Sequence, residues 1–374
     1  MPKPDGTLER RFVKNTLTAN LGLTLNLGEH HELSTGLNGE YQHNRRGGWG
    51  FIIPDFETAT IGAYAMDRYT ISEHLKLNAG IRLDYAHTHI SSYHDWFLTP
   101  TADGDSVYKE RSADVNRHFT SLTWSAGVNY AVGQWVLKAN VGKSFRVPIP
   151  KELGADGVNY HIFRYERGNP DLDPEESYQL DMGIHWDNDV VCVQIDPYVN
   201  YFPNYIYLNP TSQYVEGLQL YNYTQAEVLR WGLETQVKWN FAEHWQAHAQ
   251  GEYLYARQQS GEKKGYTLPF STPWSIDTGV KYSFEHKGKG FVTLSAHIVG
   301  AQNEIVPPEK PTDGHWTLNL SAGKDFLMGG TTFHVALHAD NLLNRRYYDH
   351  TSYYRLIDVP ESGFNLSMMV GVDF

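Results

Sequence analysis

The residues best suited to chemistry in this chain lie in one short run, Asn159-Tyr160-His161-Ile162-Phe163-Arg164-Tyr165. It sets an imidazole among aromatic rings and a guanidinium. An imidazole nitrogen can ligate a transition metal, aromatic faces stack on a flat conjugated ligand, and a guanidinium pairs with carboxylates. Three further clusters share this make-up: Arg45, Arg46 and Trp49; His94, Asp95, Trp96 and Phe97; and Tyr348, His350, Tyr353, Tyr354 and Arg355. Such side chains stack on and pair with a flat anionic ligand. Any one of them also fits loop packing or an interfacial belt, so the collective enrichment is what points to binding.

Catalytic patterns are missing, and no enzyme and no cofactor are expected: the chain has no H-E-x-x-H, no G-x-S-x-G and no P-loop. His334 and His338 share one strand face, as do His87 and His89, but residues two or four apart on a strand are separated by about 7 or 14 Å. Solvated lumen histidines fit these better than a metal site. Asp103, Gly104 and Asp105 lack the remaining ligand spacing of a calcium loop. Cys192 is the single cysteine. It excludes a disulfide or multi-cysteine metal site within the chain, and its apolar alternating surroundings suit a small buried or lipid-facing residue.

The elements that must position these residues are strands. The 374 residues carry a net charge of −12, with pI near 5.8, which offers nucleic acid no basic footprint. Aromatic content of 14%, with 25 Tyr and 10 Trp, accompanies a mean hydropathy of −0.49. That pairing suits apolar residues spread singly along strands. No apolar run of about 18 residues exists, so no transmembrane helix is expected. The start, Met1-Pro2-Lys3-Pro4-Asp5-Gly6, lacks the apolar core of a secretory signal, so an outer-membrane protein would carry its signal upstream.

Period-two alternation predicts about fifteen strands, near 11–27, 30–46, 56–72, 74–93, 117–132, 134–146, 176–188, 190–208, 218–241, 244–259, 273–286, 290–303, 315–327, 331–348 and 363–374, with no helical periodicity. Short links at Gly28-Glu29, Glu73, Gly133, Asp189, Ala242-Glu243, Lys287-Gly288-Lys289 and Met328-Gly329-Gly330 alternate with long loops near 47–55, 94–116, 147–175, 209–217, 260–272, 304–314 and 349–362. Short periplasmic turns and long external loops are the habit of outer-membrane barrels. Trp231 and Phe241, like Trp274 and Phe284, stand ten residues apart on one face. At ~3.3 Å per residue and a tilt of ~40° that spans roughly 25 Å, the apolar band between two aromatic girdles. Phe364, Leu366, Met368, Val370, Val372 and Phe374 likewise form one apolar face of the last strand. The expected class is therefore all-β, a transmembrane antiparallel β-barrel. A soluble sandwich or propeller also alternates, but strands of this length exceed the usual ~5 to 6 residues. An odd strand count predicts a chain truncated at its amino end, because single-chain bacterial barrels close with even numbers.

The segments Ser144-Phe145-Arg146-Val147-Pro148 and Gly168-Asn169-Pro170-Asp171-Leu172, with Asn341-Leu342-Leu343-Asn344 and terminal Phe374, resemble motifs of TonB-dependent outer-membrane receptors. Val147 and Asp171 depart from the family's F-R-A-P and N-P-N-L boxes. The resemblance implies that residues 1–374 are a partial barrel, the last fifteen or so strands of a 22-stranded wall, without the plug domain. It implies residence in the bacterial outer membrane, lipid around the wall, and the TonB energy-transducing complex as a partner acting through the missing plug. It implies uptake of an iron complex, a ferric siderophore or haem.

In the family's haem receptors a histidine between the two boxes commonly ligates iron. His161 occupies that interval, with Tyr160, Arg164 and Arg146 nearby. Arg45, Trp49, His94, Trp96, Tyr348, His350, Tyr353 and Tyr354 complete the expected binding set. Vitamin B12 uptake by the same family, or a passive porin or adhesive surface barrel, are the alternatives.

Overall fold

The computed structural model describes residues 6–286 and 288–373. Three readings above fall outside them: the start from Met1 to Asp5, Lys287 in one short link, and the terminal Phe374. Nineteen strands form among the described residues. The first group is β1 (Arg11–Leu27), β2 (His31–Gly47), β3 (Phe56–Thr70), β4 (Leu75–Ile90), β5 (Tyr93–Pro100), β6 (Ser106–Ser112), β7 (Val115–Val132) and β8 (Trp135–Arg146). After a one-turn helix α1 (Pro150–Gly154) come β9 (Asp156–Asn159), β10 (Arg164–Arg167), β11 (Glu175–Asp187), β12 (Val191–Val215), β13 (Leu218–Ala242) and β14 (Trp245–Gln258). The last five are β15 (Ser275–Glu285), β16 (Lys289–Val299), β17 (His315–Met328), β18 (Thr331–Asp340) and β19 (Asn365–Asp373).

All but β5, β6, β9 and β10 form one antiparallel wall in which each strand pairs with the next. Among the described residues β1 pairs only with β2, and β19 only with β18. Short links carry the turn chemistry that tight hairpins require. Gly329 and Gly330 join β17 to β18 at φ of 60° and 88°, the positive pair of a type I′ turn that a side chain would strain.

Register shows why the sequence alternates. Leu21, Leu37, Ala63, Leu83 and Leu122 stand directly across from one another over five strands, and the four leucines are 70%, 51%, 53% and 49% exposed. One residue along, the opposite face presents Asn20, Asn38, Gly62, Asp84 and Ser121, where the Arg82 guanidinium donates to Asn38 (2.8 Å) and Asp84 (2.6 Å). An apolar surface of that extent on the outside and a polar lining on the inside fit hydrocarbon and water respectively. Aromatics crowd the short-turn rim: Trp239, Phe241, Trp245 and Tyr282 form a chain of rings with centroids 4.8 to 6.2 Å apart. No helix among the described residues is long and apolar enough to cross a membrane.

Burial concentrates at the other end, where the long loops fold inward. Ile90, Val115, Leu153, Leu172 and Ile206 form one dry cluster, and Val158, Tyr165 and Leu220 another. Five expectations are corrected here. The span 209–217 is no long loop: β12 and β13, 25 residues each, run on to a tight turn at Glu216-Gly217. The loop expected at 94–116 holds the β5–β6 hairpin. The loop at 147–175 contains a helical turn, and its β9–β10 hairpin docks through β10, which runs parallel to β13. Cys192 faces the lumen rather than lipid, because it pairs with Asp187 and Lys238 on the polar side. His87 shares its face with the exposed Leu83 and Tyr85, so it and His89 sit outside the wall, whereas His334 and His338 line the lumen beside Asp325 and Ser321.

The β9–β10 hairpin is seated with no room to spare. A methyl group at Gly157 would lie 2.1 Å from the backbone oxygen of Phe51. Gly157→Ala is therefore expected to lift the hairpin at a cost of about 1 to 3 kcal/mol. Amide hydrogen exchange across 156–167 should rise while the wall strands keep their protection; unchanged exchange there would refute the prediction.

Candidate functional site: an outward cleft between loops

The two boxes flanking the long central loop are stitched together by one arginine. At the end of β8 the Arg146 guanidinium donates to Glu152 (2.8 Å) on α1 and to Glu175 (3.1 Å) on β11. Glu152 also accepts from the backbone N–H of Ile149 (2.9 Å), capping α1, and its carbonyl accepts from the N–H of Asn169 (2.8 Å). The Asn169 side chain closes its own turn onto Asp171 N–H (3.0 Å), and Leu172, 1% exposed, anchors the segment in the first dry cluster. Phe145 and Pro148 bracket Arg146, and Pro170 follows Asn169 in the turn. Asn341 and Asn344 adopt φ of 49°; Asn341 bonds Arg345 and Ser362, and Asn344 bonds Phe364. Leu342 N–H donates to Leu318 (2.8 Å). These motif residues shape loops.

Two ion networks then hold the hairpins in the mouth. Arg111 on β6 donates to Asp156 (2.8 Å), to the Tyr165 hydroxyl (2.8 Å) and to Asp95 (3.2 Å), and Tyr165 donates to Asp156 (2.9 Å). Burial and the Asp156 charge push the Tyr165 hydroxyl well above its ordinary value. Glu166, fully buried, accepts from Arg164 (2.8 Å) and Asn159 (3.1 Å) and faces the Lys151 ammonium at 2.5 Å. Burial alone would raise its carboxyl; the Lys151 hydrogen bond and the two cations leave it below the usual range.

The Arg164 guanidinium lies 5.0 Å from the Tyr221 ring and 5.1 Å from the Tyr353 ring, so the β9–β10 hairpin, β13 and the 341–364 segment converge. Between them opens a cleft of about 860 Å³. Phe163, Tyr221, Tyr347 and Tyr348 supply rings, and Lys310, Arg345 and Arg346 supply positive charge beside the carboxylates of Asp313 and Asp358. Among the described residues these three cations make no salt bridge, while Arg355 on the same rim is engaged with Glu309 (2.7 Å). Arg346 donates to the Tyr348 hydroxyl (2.8 Å), and Arg345 stacks 4.3 Å from the Trp316 ring.

The expected binding residues divide between two places. His161 is exposed on the turn that carries Phe163 into the cleft, and Tyr160 beside it lies under the Arg10 guanidinium at 4.9 Å. Tyr348 lines the cleft, Tyr353 backs it through Arg164, and Tyr354 is exposed. Across the mouth the other clusters meet each other: Trp96 Nε1–H donates to the Trp49 carbonyl (3.0 Å), Arg46 covers the Tyr93 ring at 3.9 Å, and Asp95 is taken by Arg111. His94 is exposed, and Arg45 points outward with Leu37 and Tyr41 and contacts His43 (2.9 Å). Lys310 and His315 carried no sequence signal. Arg345-Arg346 did, as a dibasic step straight after Asn344.

His350 lies beneath the cleft, 2% exposed. Its Nδ1 is bonded to Thr312 (2.9 Å), and Nε2 sits 3.7 Å from Glu309. Burial, then the Arg355 charge, hold its pKa down at about 4 against an ordinary 6.5; burial pushes Glu309 up. A histidine kept neutral contributes stability that is present above pH 6.5 and lost as pH falls toward 4, at up to about 1.4 kcal/mol per pH unit. Glu309 acts with the opposite sign, so the comparison is with His350→Asn, which retains Glu309. Protection factors of the 341–364 amides, with the intrinsic pH dependence of exchange divided out, should fall on acidification in the wild type more than in His350→Asn; equal pH slopes would contradict it.

Residues 4–342 match the family described as TonB dependent receptor-like, beta-barrel. Similar solved structures include the copper transporter OprC (18% identity, TM-score 0.76, covering 96% of this chain and 57% of that one). The ferric-catecholate import receptor Fiu from E. coli K12 is 17% identical with a TM-score of 0.67, over 97% of this chain and 54% of that one. The Serratia marcescens hemophore receptor HasR, solved with its hemophore HasA and heme, is 18% identical with a TM-score of 0.66, over 97% and 59%. The chain thus spans somewhat more than half the length of these structures. It belongs to the TonB-dependent receptor-like β-barrels, a family of transport receptors.

Proposed function

We propose that this chain is the barrel portion of a bacterial outer-membrane receptor that takes up an anionic iron complex, a siderophore or haem, with TonB supplying the energy. The observation that carries this reading is the outward cleft with Lys310, Arg345 and Arg346 unpaired among the described residues and lined by tyrosines. Its ~860 Å³ falls in the range of small-ligand sites, and cations beside aromatic rings bind a flat or catecholate-bearing anion by charge-assisted hydrogen bonds and stacking. No bond needs to be made or broken. His161, exposed one turn from Phe163, is the proposed axial ligand should the complex be haem.

Titrating the purified full-length receptor with haem, ferric siderophores, cobalamin and copper separates the cases. A ferric complex or haem is expected to bind tightly. A His161-dependent shift of the haem absorption band identifies haem, and binding of cobalamin or copper alone overturns the iron reading. A passive porin would show steady ion conductance from the intact protein.

A further inference from the structure

His185 and Asp187 stand two residues apart on β11 and therefore project from the same face. Cys192 on β12 lies directly across from Asp187. That face is the lumen side: Cys192 shares it with Gln194 and Asp196, whereas Val191 and Val193 pair with Trp239 and Val237 toward lipid. The three residues sit beside the short link between the two strands. None belongs to the cleft or to the motifs.

Their donor atoms are already grouped. His185 Nε2 is 3.4 Å from Cys192 Sγ, and one donor atom from each of the three residues lies within 4.8 Å of the others. A tetrahedral zinc holds a thiolate at about 2.3 Å and an imidazole nitrogen at about 2.0 Å, which sets the two donors roughly 3.5 Å apart. The sulfur–nitrogen pair has that spacing without adjustment, and a rotation of the exposed Asp187 side chain brings in the carboxylate. Asp187 Oδ1 accepts from the Asp189 N–H (3.0 Å), a support that leaves Oδ2 for an ion. Lys238 faces the group from β13, opposite Cys192, and its flexible stem lets the ammonium swing into the lumen.

We propose that His185, Asp187 and Cys192 form a binding site for a borderline-soft divalent cation of the zinc class. Sulfur and imidazole nitrogen together disfavour calcium and magnesium, which take oxygen ligands. Three protein ligands leave a fourth position open to water or to an exchanging ligand. A bound ion ties the ends of β11 and β12 together across their turn.

The test is cobalt titration of the chelator-stripped full-length protein in detergent, with a thiol-free reductant. One equivalent is expected to produce a thiolate-to-cobalt charge-transfer band that zinc abolishes. Cys192→Ser should lose the band, and His185→Ala should weaken cobalt binding roughly tenfold or more. Heat-modifiable gel migration establishes that each variant is folded. A folded wild type with no band, or a band that survives in Cys192→Ser, overturns the site. Neither result depends on which solute the outward cleft accepts.

Discussion

Replacing Arg111 by methionine is expected to release both inward hairpins while leaving the wall intact. This guanidinium holds Asp156 at 2.8 Å, the Tyr165 hydroxyl at 2.8 Å and Asp95 at 3.2 Å. Asp95 and Asp156 are only 6% and 7% exposed. Removing one member of a buried ion network strands the charges that remain, at a cost of about 3 to 5 kcal/mol. That is comparable with the ~3 to 6 kcal/mol the β9–β10 hairpin gains by burying Val158 and Tyr165, so β5–β6 and β9–β10 should both lose protection in hydrogen exchange. Lysine cannot restore the geometry, because one ammonium does not span three acceptors arranged around a planar fork. Protected hairpins in Arg111→Met, or full rescue by Arg111→Lys, would show that the hairpins are held by packing instead.

Reversing charge in the cleft is expected to abolish ligand binding with little effect on stability. Lys310→Glu and Arg346→Glu each remove a cation that makes no salt bridge among the described residues, so neither breaks a direct ion pair. A hydrogen bond to a charged group is worth about 1.5 to 3 kcal/mol, or roughly ten- to a hundredfold in affinity per residue. Replacement by glutamate adds repulsion of an anionic complex, and the double variant should fall below detection in a fluorescence titration of the full-length receptor. Arg345 is a poorer probe because its stacking on Trp316 supports the fold. Affinity unchanged by both substitutions would place the ligand elsewhere.

The wall was legible because alternation is a local signal. Lipid-facing leucines such as Leu37, Leu83 and Leu122 are each followed by a polar lumen residue, and the links at Gly28, Gly133 and Gly329-Gly330 carry residues that permit positive φ. The β12–β13 hairpin was misread because Asn209 and Pro210 look like breakers. The structure accommodates Pro203 and Pro210 at register shifts, between Phe202 and Tyr205 and between Pro210 and Tyr214, where a bulge removes the need for a ladder N–H. The cleft was half legible. Tyr348 and Arg355 stood out as an aromatic and basic cluster, but Lys310 is lone in sequence and gains meaning only from the 341–364 segment opposite. Pairings such as Arg111 with Asp156 join residues 45 apart, and no local pattern announces them. The sidedness of Cys192 was misjudged because valines flank it, although parity with Gln194 and Asp196 fixes its face.

The 25-residue reach of β12 and β13 has a geometric consequence. At about 3.3 Å per residue and a tilt of ~40°, each rises roughly 60 Å, about twice the ~30 Å thickness of hydrocarbon. Tyr214, 71% exposed, and Gly217 at the summit border the cleft. Around a wall that crosses a bilayer, the tip of this hairpin carries one rim of the cleft well above the hydrocarbon. The β9–β10 hairpin, docked along β13 at 220–222, braces that rim from the inside.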